Sequence, residues 1–415
     1  MVNRFQTLIT HTGGVLSALL ILSIPFSTSI AIAITGLLLL LWLLSSHFFS
    51  LTDLLKHNSI VLFSLLLTGY LLIGVTYSSA SLEESINIWF KYREFLLVII
   101  LIPFLSNNRY RQWALTAFII GSIITLAVSY AIDFNFIKRA TYSASAKSSI
   151  THSIFVAYFA YFCAQQAYRE PPYKLFWVLL LLVSIHNLYF VTFGRTGQLI
   201  AFLLALLFSF QHLNKQKILL FILASIVSVV LFVNYTDSGH RIVEGITNTK
   251  NYDFNNPETT SSIGRRLTYW KHALSLIKER PWFGYGTGSF AKEYARISSA
   301  NEHQTTNPHS TYLLIATQVG VGGLLLYLGF LFSLYWRLQI LPDHQKCLAQ
   351  GVLLTIVTSS IFNSPILDHT EGHWFACLVA IFFNLPKKRK FHISMVQFFN
   401  KLPTPAGVNN ENAQG

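Results

Sequence analysis

Charge is scarce in this chain. Only 11% of its 415 residues are Asp, Glu, Lys or Arg, against roughly 25% in ordinary soluble domains. That shortage excludes a chain that keeps itself in water by a charged surface. Cysteine is also rare: Cys163, Cys347 and Cys377 each lie inside an apolar run. An odd number without framework spacing reads as packing residues, not as disulfides or metal ligands. No Asp-x-Asp pair occurs, so the divalent-ion site used by metal-dependent sugar-nucleotide transferases has no counterpart. The glycines of Gly284-Tyr285-Gly286-Thr287-Gly288 are not preceded by a strand or followed by Gly-Lys-Ser/Thr, so they read as a turn, not a phosphate loop. Internal repeats and Gly/Ser linkers are missing too.

What the chain has in abundance is apolar sequence, 53% of all residues. Several runs reach about 20 residues, enough to cross a bilayer as a helix. The fold class expected is an all-α membrane protein with about twelve transmembrane helices. The apolar stretch 14–44 is too long for one helix and is broken at Pro25, giving a hairpin of two spans. Further spans are expected at 58–77, 84–105, 112–132, 152–168, 174–192, 196–211 and 216–235, then at 310–336, 346–366 and 372–386. The organisation is therefore 1–235 for nine transmembrane helices, 236–309 for one large polar loop containing short helices, 310–386 for the last three helices, and 387–415 for a tail expected to be disordered.

The net charge of +13 points first to topology and anionic lipid in such a protein, and no nucleic-acid partner is expected. Cations gather in alternate short connections: Arg4, Lys56, Arg109, Arg111, Arg169, Lys174, Lys215, Lys217, Arg337, Lys346 and the run Lys387-Lys388-Arg389-Lys390. The connections near Pro25, Ser78 and Asp368 hold no Lys or Arg. The positive-inside rule then puts both termini in the cytoplasm and the large loop on the opposite face. Lys91, Arg93, Lys138, Arg139 and Lys147 fall on that outer side too, where topology gives no reason for them.

Three outer-face signals carry chemistry. Arg195 sits in Phe193-Gly194-Arg195-Thr196-Gly197, a very short connection between apolar helices. An ionisable group at the bilayer edge is a site candidate, and the alternative is a helix-end arginine bonded to carbonyls. Within the loop, Ser262 can cap a helix running to about Lys278, ahead of Pro281. Leu267, Trp270, Leu274 and Ile277 would line one face, on the membrane surface or on the bundle, with Arg266 at its edge. That arginine meets either a lipid headgroup or only the interface. His309 follows Asn307-Pro308 just before a helix start, whose dipole favours a neutral imidazole able to act as a base. A weaker candidate is Asp368-His369-Thr370-Glu371-Gly372-His373, which would suit zinc or a helix start.

Together, Gly194-Arg195-Thr196-Gly197, Gly264-x-Arg266-Leu267-x-x-Trp270, the turn from Pro281 to Gly286, and His309-Ser310-x-x-Leu313 followed by Gln318-Val319-Gly320-Val321-Gly322-Gly323 resemble the O-antigen ligase/polymerase superfamily, most of all its ligases. The resemblance implies that Arg195 and Arg266 bind a diphosphate and that His309 is catalytic. Arg265 blurs that mapping, because either member of the pair could make the contact. It implies a metal-independent, inverting glycosyltransferase of the bacterial inner membrane, without cofactor, whose site faces the periplasm. The donor would be a glycan on undecaprenyl diphosphate and the acceptor a sugar hydroxyl of the lipid A core. Lys91, Arg93, Lys138 and Arg139, with Lys147, would guide the two anionic lipids. A polymerase of the same repeat units, or a ligase acting on protein, would use similar residues. A transporter would place ionisable groups at mid-membrane, commonly in repeated halves.

Overall fold

Long apolar runs bounded by capping residues leave the backbone one economical option, the helix, which satisfies its own amides. In the computed structural model, residues 2–138, 145, 147–192, 194–235, 237–250, 252, 262–299 and 302–384 are described, and every regular element among them is helical. The expected tail 387–415, Arg139 and the loop residues 253–261 lie outside them.

The first half runs α1 Val2–Ser23, α2 Thr28–Leu43, α3 Ser46–Phe49, α4 Leu51–His57, α5 Ser59–Thr76, α6 Leu82–Lys91, α7 Glu94–Phe104, α8 Asn108–Asp133 and α9 Ser149–Arg169. The second half runs α10 Lys174–His186, prolonged by a π turn over Asn187–Val191, then α11 Arg195–His212 and α12 Lys215–Tyr235. Next come α13 Asp237–Lys250, α14 Ser262–Glu279, α15 Phe290–Ile297, α16 Thr311–Arg337, α17 Asp343–Phe362 and α18 His369–Phe382.

Six of the helical segments are both long and apolar enough to cross a membrane: 4–23, 59–76, 108–133, 171–191, 311–340 and 343–362. The outward faces of several helices carry bare Ile30, Leu40, Leu66, Leu182, Leu220 and Phe332. Such a belt suits hydrocarbon and is too large for a surface in water. The expected hairpin is present: α1 ends before Pro25, and the Ser27 hydroxyl caps α2 by accepting from Ile30 N.

One expected span is divided. The stretch 84–105 breaks at Tyr92-Arg93 into α6, with acidic Glu83 and Glu84 in its first turn, and an eleven-residue α7. At 1.5 Å per residue α7 is only about 16 Å long. The break is held by Tyr92, whose hydroxyl donates to Gln318 Oε1 at 2.8 Å.

The interior is built on α9, buried on every face from Thr151 to Phe162 and packed between α10, α11 and α17. The polar stretch after α12 folds as α13, α14 and α15 and carries a small core of its own, Tyr269, Ala273, Phe290 and Tyr294 closing on Leu314 of α16. The expected stripe on α14 is only partly right. Trp270 does lie on the bundle, beside Phe362, with its indole N–H donating to Pro308 O at 3.0 Å. Leu274, however, is 49% exposed, and the buried face is the neighbouring one, Thr268, Tyr269, His272, Ala273 and Leu276. Small Ala273 lets the Tyr294 and Phe290 rings approach, which a row of leucines would not.

The glycine turn fastens this assembly to the bundle. The amides of Tyr285 and Gly286 donate to Thr317 O and Gln318 O, and that of Thr287 donates to Gly74 O. Three amides committed to carbonyls cannot cradle a phosphate. The carbonyls are available because α16 is interrupted at Val319 and Gly320, where Gly320 takes φ 67° against the Trp282 carbonyl.

Candidate functional site

The site lies where α11, α14 and α16 begin. Gly194 and Gly197 let the start of α11 press on Ser153 and Ser149 of α9, with no room for a Cβ at either position. That contact fixes Arg195, the first residue of α11. Its Nη2 donates to Ser262 Oγ at 2.6 Å, so the Ser262 hydroxyl, expected as a helix cap, serves to tie α14 to α11. One turn later α14 presents Arg265 and Arg266. Burial first, and then the positive charge of Arg195, lower the proton affinity of the Arg266 guanidinium. An arginine stays charged regardless. The two cations are therefore held close together against their repulsion, and among the described residues no carboxylate forms an ion pair with Arg265 or Arg266.

His309 faces them from the last residues before α16. Its backbone is in the left-handed region at φ 54°, where a non-glycine residue is uncommon and costs about 1 kcal/mol or more. Two neighbours stabilise it: His309 N donates to Asn307 Oδ1 at 2.9 Å, and Ser364 Oγ donates to the same oxygen at 2.8 Å. The Tyr269 ring stacks over the imidazole, centroids 6.1 Å apart at 29°. Burial, then Arg266, and lastly Arg265 hold the imidazole below its ordinary pKa, opposed by a hydrogen bond with the Asn363 side chain. At neutral pH His309 is thus uncharged. Its Nδ1 is buried and has no hydrogen-bond partner.

Arg195, Arg265, Arg266 and His309 thus come together. The guidance residues among those described do not join them. Arg93 Nη2 lies 3.0 Å from His369 Nδ1, Lys91 is also near His369, and Lys147 Nζ donates to Thr28 Oγ1 at 2.9 Å. Lys138 is exposed at the end of the α8 connection. The Asp368–His373 cluster is dispersed as well. Asp368 Oδ1 caps α18 by accepting from Thr370 N and Glu371 N, and His373 turns to Glu94 and Thr35. Among the described residues no three His, Cys, Asp or Glu side chains converge as metal ligands would.

Of two further neighbours of the site, Asn363 escaped the sequence reading and Glu371 entered it only as a member of the Asp368–His373 cluster. Asn363 ends α17, and its Nδ2 donates to Glu371 Oε2 at 2.9 Å and Oε1 at 3.2 Å. Glu371, 1% exposed, also accepts from Thr151 Oγ1 at 2.9 Å. In sequence Glu371 looks like an ordinary acid in a first helical turn, and Asn363 like a turn residue before Pro365. Only their pairing in the fold, joined by Thr151 of α9, marks them.

Fold and site together define a helical membrane protein with a basic, histidine-bearing cluster where α11, α14 and α16 begin. Residues 177–328 match a family model described as O-antigen ligase, a region that holds Arg195, Arg265, Arg266 and His309. The family resemblance carried by the motifs is thereby supported. An uncharacterized protein of Haemophilus influenzae is 28% identical over 28% of this chain. The match spans 32% of that relative's length, about a third.

Proposed function

We propose that this protein transfers a glycan from undecaprenyl diphosphate to a sugar hydroxyl of the lipid A core, at the periplasmic face of the bacterial inner membrane. The observation that carries the reading is the grouping of Arg195, Arg265 and Arg266 beside a neutral, half-buried His309. A lipid diphosphate is a leaving group whose negative charge grows as its bond to the anomeric carbon breaks. Fixed guanidinium groups stabilise that charge, and their planar fork suits phosphate oxygens. Arg195 and Arg266 are assigned the diphosphate, with Arg265 at the rim.

His309 is the base. The acceptor hydroxyl oxygen bonds to the anomeric carbon, its proton passes to His309, and undecaprenyl diphosphate leaves with the electrons of the broken bond. A single direct displacement inverts the anomeric configuration. The gathering of cations in alternate short connections supports an orientation with both termini cytoplasmic and this site on the outer face. Lys91 and Arg93 lie beside His369, apart from the arginine–histidine cluster, and fit a role in drawing anionic lipid to the outer face.

The test supplies purified protein in lipid vesicles with lipid-linked glycan and lipid A core. Glycan appearing on the core supports ligation. Lengthening of the lipid-linked glycan with the core unmodified would reassign the protein as a polymerase, and glycan on neither would remove the reading.

A further inference from the structure

The helix α13 faces mostly outward. Among its described positions Val243, Glu244, Ile246, Thr247 and Lys250 are exposed, while Gly245 is buried. Gly245 is where this helix meets the site. A Cβ built there would stand 2.9 Å from Arg195 Nη1 and 2.6 Å from Ile263 Cδ1, closer than a side-chain carbon approaches either atom. Glycine weakens a helix interior relative to alanine, so its presence at the turn that touches Arg195 answers to space and not to helix formation. The contact is one of packing, since the Gly245 carbonyl accepts from Thr249 Oγ1 at 2.9 Å within its own helix.

Two ties hold these pieces in register. Arg195 Nη2 donates to Ser262 Oγ at 2.6 Å. Beyond the end of α13 the Tyr252 hydroxyl donates to Thr268 Oγ1 at 2.6 Å, because the Thr268 proton is committed to Gly264 O at 3.1 Å. The Arg195 guanidinium is therefore confined by the Ser262 hydroxyl and by the bare backbone of Gly245 before any substrate arrives. We propose that Gly245 is a positioning residue that fixes the Arg195 guanidinium. Donors already in place stabilise a developing negative charge best, because nothing has to be reordered at the moment of reaction. For the lipid diphosphate the inference rests on the assignment of Arg195 to that group, and it adds a helix that acts through Arg195. The two atoms an alanine would meet are the ends of flexible side chains, so Gly245→Ala alters their placement and spares the fold.

The first arm of the test does not need the reaction. Phenylglyoxal modifies guanidinium groups, so its rate at the Arg195 peptide, followed by mass spectrometry on the full chain in vesicles, reads how firmly that side chain is held. In Gly245→Ala the rate should rise several-fold with Tm unchanged, and a wild-type rate would overturn the inference. Ile263→Val removes Cδ1 and leaves Arg195 in the way of the new methyl, so the rise should persist when the two exchanges are combined. A wild-type rate in that double variant would assign the effect to packing against Ile263 and overturn the inference as well. The double variant also relieves the closer of the two contacts, and so tests the proposal if the single variant folds poorly.

The second arm measures binding of undecaprenyl diphosphate, without glycan, and turnover. Gly245→Ala should weaken that binding and lower kcat about 10- to 100-fold. The same exchange in an Arg195→Ala background should add nothing, because the group it displaces is already gone. A full further loss there would show that α13 acts by another route and overturn the inference. Arg195→Ala that binds the lipid diphosphate normally would reject the diphosphate assignment, and a raised phenylglyoxal rate in Gly245→Ala would still uphold the positioning of Arg195 by Gly245.

Discussion

Replacing Arg266 with alanine removes a charge that acts twice, and the two effects can be read separately. The first is on rate. Losing one fixed donor from a site that stabilises developing negative charge costs about 3–4 kcal/mol, or roughly 10²–10³-fold in turnover. Lysine at the same position should restore only part of it, since an ammonium lacks the fork. The second is on proton affinity. In the wild type, burial and then Arg266 hold His309 below the ordinary imidazole value of about 6.5. A base with a lowered pKa remains neutral as pH falls until that lowered value is passed. The acid limb of the wild-type rate should therefore lie below about pH 6.5. Removing Arg266 relieves the repulsion against imidazolium, so the limb should move to higher pH. The assay is initial rate of glycan transfer by purified protein in vesicles, at saturating acceptor, from acid to neutral pH. Near-normal turnover of Arg266→Ala would end the diphosphate role, and a limb moving to lower pH would end the electrostatic account of His309. Full activity of Arg266→Ala with an inactive Arg265→Ala would move the site by one residue.

Three further outcomes follow from the same arrangement. Gly320→Ala, at φ 67° and against the Trp282 carbonyl, should destabilise the seat of the glycine turn by about 1–3 kcal/mol from backbone strain alone, seen as a lower Tm in detergent. An unchanged Tm would mean that the turn does not depend on the α16 break. A reporter active only in the periplasm should work when fused near Lys250 and be silent at Lys217, and the reverse pattern would invert the topology. EDTA should leave transfer unaffected, as should alanine at His303, whose ring meets Tyr269 across the loop. Loss of activity on chelation would return attention to Asp368–His373.

Much of this arrangement was legible in the sequence because its signals are local. Pro25 breaks a run that is too long, Pro281 follows the end of α14, and the Arg195, Arg266 and His309 motifs each sit at a helix start. Apolar length, in contrast, is a poor guide to where a helix stays continuous. The division of α6 from α7 depends on Tyr92 reaching Gln318, more than two hundred residues away. The buried face of α14 was misjudged for a related reason: its partners are Phe290, Tyr294 and Leu314, and small residues there matter more than leucines. Asn363 was missed, and Glu371 was read only within the Asp368–His373 cluster, because the pairing of an amide with a buried acid depends on what the fold brings together.

The claim at the centre is that His309 is the base, and one measurement bears on it most directly. His309→Ala, purified and returned to vesicles, is given lipid-linked glycan and lipid A core, with donor binding and transfer measured on the same preparation. Donor binding should persist, because Arg195 and Arg266 remain, while transfer falls roughly 10²–10⁴-fold and whatever rate is left loses its acid limb. Robust transfer by His309→Ala, with the acid limb intact, would contradict it.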